Sequence, residues 1–185
     1  KNEVSGNFSY GDNFDTADNG AGLKDLNPRW MFLRDFTDCY KVENGKLKFN
    51  LLPGNIYKRE PMSAIWARKQ HGLFTAETEI NFTPRNDKDI AGLALLQKED
   101  HNFVLGKTMK NGKLMITLTR AEKNNVTIAS APIKGGKLKL KVEGHDRYYD
   151  FYYAEEGGSW QLLAKGVDAS NLSTQKSGGF LGACI

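Results

Sequence analysis

FTAETEINF, residues Phe74–Phe82, places Phe74, Ala76, Thr78, Ile80 and Phe82 on one side of an extended chain and Thr75, Glu77, Glu79 and Asn81 on the other. Such a period of two marks an antiparallel strand with one face in a core and the other in water. The rhythm recurs along the chain. KLKFNLL (46–52) aligns Leu47, Phe49 and Leu51, GKLMITLTR (112–120) aligns Leu114, Ile116 and Leu118, and KLKLKV (137–142) aligns Leu138, Leu140 and Val142. RYYDFYYA (147–154) aligns Tyr149, Phe151 and Tyr153. IAGLALLQ (90–97) is nearly continuous apolar and reads as a strand covered on both faces.

Asn44-Gly45, Asn111-Gly112, Gly135-Gly136 and Gly157-Gly158 fall between these segments and predict hairpin turns. About ten to fourteen short strands with no convincing helix predict an all-β fold, a two-sheet antiparallel β-sandwich. One such domain can occupy the whole of residues 1–185, with 1–28, rich in Gly, Asp and Asn, as an irregular N-terminal wrap.

The composition is 39% hydrophobic and 26% charged, that of a globular protein. No apolar run reaches the roughly 20 residues that cross a bilayer as a helix, so no membrane partner is expected. The net charge of +4 is spread through alternating segments. Lys137, Lys139 and Lys141 share one face of a strand and read as a solvated edge or outer face. Without basic residues interleaved with aromatics, no nucleic-acid partner is expected. Cys39 and Cys184 lie far apart with no metal-ligand spacing around either. A disulfide between them is open, and two buried thiols are the expectation. His71, His101 and His145 are scattered, against a zinc site.

Glu77 and Glu79 stand about 7 Å apart on one face of a strand, within the range of a glycosidase carboxylate pair. The next residue of that face is Asn81 and no further acid follows, so the water-facing reading is favoured. Asp12, Asp15 and Asp18 supply oxygens suited to calcium, but their spacing does not match an EF-hand and an acidic surface turn is favoured. No cofactor is expected, with calcium there as the one alternative. In PRWMFLRD (28–35) Trp30, Phe32 and Arg34 alternate, and in SAIWARKQHG (63–72) Trp66, Arg68 and Gln70 do. An aromatic ring beside forked donors suits the C–H face and hydroxyls of a sugar. For Arg34, Arg68 and Gln70, sugar contact and structural pairing stand side by side. Trp66 and Trp160 are expected to pack into the sandwich.

The ordered string Asp12-Asn13-Phe14, WMFLRD, KVENGKLKF, ARKQHGLFTAETEINFTP, DIAGLALLQ, HNFVLG, GKLKLKVEG, YDFYY, SWQLL, DASNLST and GGFLGACI carries a resemblance. It resembles the C-terminal concanavalin A-like β-sandwich of glycoside hydrolase family 43 enzymes, typified by β-xylosidases, from about Asp12 to Ile185. The resemblance implies that the hydrolytic carboxylates belong to a separate five-bladed propeller of the same polypeptide, acting on xylose- or arabinose-containing saccharides. It also implies that KSGGFLGA (176–183) is a loop closing one side of the sugar pocket, with Phe180 as its ring. Many relatives carry two aromatics before the Gly-Ala, whereas here Gly179 precedes Phe180. Trp30, Arg34, Arg68, Gln70 and Phe180 are therefore the candidate sugar-contacting residues, none of them catalytic. The expected role is a non-catalytic accessory domain. An autonomous module binding xylan-type glycans and a self-sufficient sandwich glucanase are the alternatives.

Overall fold

The alternating segments become strands, and the turn residues between them decide how those strands are joined. A computed structural model describes residues 9–14, 26–34, 39–178 and 182–185. Internal contacts divide the chain into two units, Lys1–Ala67 and Arg68–Ile185.

In the first unit, β1 (Tyr40–Val42) pairs antiparallel with β2 (Leu47–Phe49), so the strand read over 46–52 shortens to its first half. Asn44 and Gly45 both take positive φ, 53° and 66°, as a tight hairpin demands. Met31 and Trp66 exchange two backbone hydrogen bonds of 2.9 Å, which ties the middle of the unit to its C-terminal end.

The second unit is the expected two-sheet antiparallel β-sandwich. Its strands are β3 (Leu73–Ile80), β4 (Ile90–Lys98), β5 (His101–Lys110), β6 (Lys113–Glu122), β7 (Asn124–Pro132), β8 (Leu138–His145), β9 (Tyr148–Glu155) and β10 (Gln161–Asp168). One sheet runs β10-β9-β8-β3 and the other β4-β5-β6-β7. Period two sends alternate residues of each sheet into one shared core. Leu95, Phe103, Leu105, Ile116 and Leu118 come from one sheet, and Leu138, Leu140, Val142, Tyr149, Phe151 and Tyr153 from the other. The Phe103 and Phe151 rings meet across the sandwich with centroids 5.7 Å apart.

Three readings need correction. Gly135-Gly136 joins no hairpin. It carries the chain from β7 in one sheet to β8 in the other, with φ of 117° and 76° that only glycine takes readily. The Gly136 carbonyl there accepts a 2.6 Å bond from the ammonium of Lys107, a β5 residue that is fully buried. IAGLALLQ is not covered on both faces throughout: Leu95 and Leu96 are buried, whereas Ile90 at its start is exposed. Its buried end gains a further partner, because Leu96 and Cys184 exchange two 2.8 Å backbone bonds. Finally, the chain after β10 does turn helically, through a 3-10 turn, Ser170–Leu172, and a single α-turn α1, Thr174–Ser177.

Candidate functional site

Trp30 sits in a small aromatic box within the first unit. Its indole N–H donates to Asp12 Oδ2 at 2.7 Å, the same carboxylate oxygen that accepts the Tyr10 hydroxyl. Asp12 Oδ1 accepts the Phe14 backbone N–H. Phe14 stacks along Trp30 at 6.4 Å, Tyr10 meets it edge-on at 5.8 Å, and Arg29 lies over Tyr10. Much of the ring that a sugar would need is thus engaged inside the unit, and so is the carboxylate that a calcium ion would need. Asp15 and Asp18 lie outside the described residues. Arg34 donates to the Glu60 carbonyl at 3.5 Å. Beside it Phe32, Pro61, Met62 and Trp66 line a gap of about 10 Å³, room for a single water and not for a sugar. Trp66 is buried, as expected.

Arg68 and Gln70 belong to the second unit and are exposed. Arg68 pairs through its backbone with Cys184, whose thiol burial pushes up and the Arg68 charge draws down. Cys39 and Cys184 are both buried free thiols. Phe180 lies outside the described residues. The two ends of its loop are anchored: Ser173 caps α1 by accepting the Lys176 N–H, and Ala183 accepts the Lys69 N–H at 3.0 Å.

Glu77 and Glu79 lie on the exposed face of β3, opposite Lys141 and Lys139 of β8 in register. Glu79 pairs with Lys137 at 3.6 Å. On the same outer face the Lys141 ammonium lies 4.5 Å from the Tyr152 ring and 4.9 Å from that of Trp160, and 2.8 Å from Glu143. Trp160 is therefore not in the core. It borders the outer face, 37% exposed, because the chain reaches it before β10 begins. Potential ligand atoms of Glu143, His145 and Asp150 converge within 4.8 Å. Two of these are already engaged: Lys141 supplies the cation for Glu143, and Asp150 accepts the Gly166 N–H at 2.6 Å.

A cleft of about 480 Å³ opens where the β8–β9 turn faces the segment after β10. Lys69, Asp146, Arg147, Tyr149, Ser170 and Gln175 line it, with Ala169 and Leu172 as apolar surface. Its walls are held by specific bonds. Arg147 grips Asp168 through two guanidinium nitrogens, and its carbonyl accepts the Ala169 N–H at 2.8 Å. Asn171 is buried and donates to the Ala121 carbonyl of β6 at 3.0 Å, while Leu172 enters the core. Asp146 adopts φ 55° in the two-residue turn, and its N–H bonds the Gly72 carbonyl. The Arg147 guanidinium, helped by Ser170, holds the Asp168 carboxyl well below the usual carboxylate range. Burial draws the Lys69 ammonium down against the pull of Asp146, and pushes the Tyr149 phenol up to about 12. The sequence reading missed this cleft. Its only written signals are the Ser-Thr-Gln-Lys-Ser-Gly capping pattern at 173–178 and a short Asp-Arg turn.

Residues 21–185 match the family model of the β-xylosidase C-terminal concanavalin A-like domain. A xylosidase/arabinosidase of Butyrivibrio fibrisolvens is 28% identical over 151 residues, 80% of this chain and 29% of that protein. The crystal structure of a GH43_12 protein from a capybara gut metagenome superposes with a TM-score of 0.82 at 27% identity, covering 97% of this chain and 34% of the other. The xylan β-1,4-xylosidase of Bacillus halodurans C-125 shares the fold, with a TM-score of 0.83 at 19% identity over 100% of this chain and 37% of its own. The chain thus spans about a third of the length of the relatives it matches.

Proposed function

Because the chain belongs to the C-terminal concanavalin A-like domain family of β-xylosidases, we propose that it is a non-catalytic accessory domain of a family 43 glycoside hydrolase. In this reading it packs on a catalytic five-bladed propeller of the same polypeptide and shapes a pocket for xylose- or arabinose-containing saccharides. The observation that carries the reading is the family match over residues 21–185, to a domain described as the C-terminal part of a larger enzyme. The geometry is consistent with it. Glu77 and Glu79 face solvent opposite lysines, an arrangement suited to keeping a strand wet rather than to holding a glycosidic oxygen.

The loop 176–183 is the natural lever on a neighbouring pocket. Both of its ends are pinned to the sandwich, by the Ser173 cap and by the bonds of Ala183 and Cys184. Trp30 favours the autonomous-module alternative less than its sequence context suggests, because its N–H and part of its ring surface are taken within the first unit.

The test is hydrolysis of aryl xylosides and aryl arabinosides. The 185-residue chain alone turns over neither, while a polypeptide carrying an upstream propeller cleaves at least one. Turnover by the chain alone, lost in Glu79→Gln, would establish the glucanase-like alternative instead.

A further inference from the structure

The outer face of the sheet β10-β9-β8-β3 carries two carboxylates directly opposite one another. Glu143 of β8 and Asp150 of β9 are partners in register, and like charges so placed repel. Glu143 has an answer in Lys141, at 2.8 Å. Asp150 has none that is fixed. Among the described residues, the one side chain of opposite charge within 4 Å of it is His145, 3.9 Å away and charged only when protonated. Yet Asp150 is 8% exposed, and a buried carboxylate without a fixed cation is costly.

The histidine completes a set of ligands. His145 stands two residues beyond Glu143 and so shares its face of β8. One ligand atom from each of Glu143, His145 and Asp150 lies within 4.8 Å of the others. The backbone beneath them is fixed. β8 is bonded to β3 on one side and to β9 on the other, and a Cβ on Gly144 would strike the Phe74 ring. Asp150 is aimed as well as placed. An irregularity in β10 between Ala164 and Val167 turns the Gly166 N–H onto Asp150 Oδ1 at 2.6 Å, while Oδ2 faces His145. Metal-binding carboxylates are held in this way by a hydrogen bond from outside the set. Glu143 also has a second oxygen to give, since Lys141 engages Oε1.

We propose that Glu143, His145 and Asp150 form a zinc site on the outer face of the sandwich. One imidazole with two carboxylates suits a borderline metal such as Zn²⁺, whereas calcium takes oxygen alone. Zinc bonds of about 2.0–2.1 Å bring ligand atoms to about 3.3 Å from one another. The set therefore has only to tighten, chiefly through His145, whose side chain is 59% exposed. Scattered histidines speak against zinc in the sequence, but this site uses one histidine and draws an acid from across the β8–β9 turn. The bound ion supplies the charge that Asp150 lacks and clips β8 to β9. The site does not rest on the accessory-domain reading.

The experiment is calorimetric titration and thermal melting of the chelator-treated 185-residue chain, with zinc, calcium and magnesium chlorides in separate arms. Zinc should bind saturably at one equivalent and raise the melting temperature. Calcium and magnesium should bind more weakly by at least about tenfold. His145→Ala should weaken zinc binding by at least about tenfold and abolish the thermal shift. His71→Ala, at an exposed histidine outside the set, should do neither. A second measurement needs no variant: in the imidazole NMR spectrum of the wild type, zinc should shift His145 before His71 and His101. Absence of zinc binding, calcium binding as tight as zinc, unaltered zinc affinity in His145→Ala, or first shifts at another histidine each overturns the site. Glycoside hydrolysis is not read in any arm, so a negative result leaves the accessory reading intact.

Discussion

Asp168 accepts from the Arg147 guanidinium at two oxygens and from the Ser170 N–H, and these bonds depress its carboxyl. A carboxylate with a folded pKa below its unfolded value of about 3.9 favours the fold above that value, and the benefit disappears as pH falls through the folded one. Asp168→Asn should therefore melt slightly below wild type at pH 7, with the gap closing below about pH 4. Thermal melts across that range check it, and a gap constant with pH would show that the ion pair is not its source. The gap is small because the Arg147 side chain is 59% exposed and the pair is screened by water. At this scale the sequence was a poor guide. The chemistry of Trp30 depends on Asp12, eighteen residues away, and that of Asp168 on Arg147, twenty-one residues away. Side-chain type was readable, but the partner was not.

Strands were far more legible than the joints between them. Alternation correctly assigned the inward faces of β3, β6, β8 and β9, since a strand's side chains must point to opposite sides whatever surrounds it. Asn111-Gly112 also behaves as read, closing β5 onto β6 with φ of 51° and 74° and Lys110 opposite Lys113. A Cβ on Gly112 would meet nothing within 4 Å, so the cost of Gly112→Ala is backbone strain alone. It should lower stability by about 1 kcal/mol in urea unfolding, and no change would mean that the turn relaxes into another type. The other joints carried weaker signals. Asp146 and Lys123 take positive φ without a glycine, and Gly135-Gly136 resembles a hairpin signal yet crosses between sheets. Which strand comes next in space is a matter of core packing, and a dipeptide does not encode it.

In the sandwich unit as a whole, stability rests on rings and branched chains shared by the two sheets. Phe151 is fully buried and meets Phe103 of the facing sheet, so Phe151→Ala removes contacts that hold both layers together. It should cost about 3–5 kcal/mol, read as a fall in the urea midpoint of the Arg68–Ile185 unit. A loss below about 1 kcal/mol would mean that the layers repack around the gap. The family likeness also belongs to this scale, because it lies in the order of many weak motifs rather than in any one of them. By itself the amino-acid sequence determined the inward faces of β3, β6, β8 and β9, the all-β class and the kinship, because local sterics and the alternation of apolar residues act along the chain. Only the tertiary structure decided the sheet order, the enclosure of Trp30, the exposure of Trp160 and the cleft over Tyr149. Each of these depends on residues remote in sequence arriving at one place, and the packing that brings them together has no local signature.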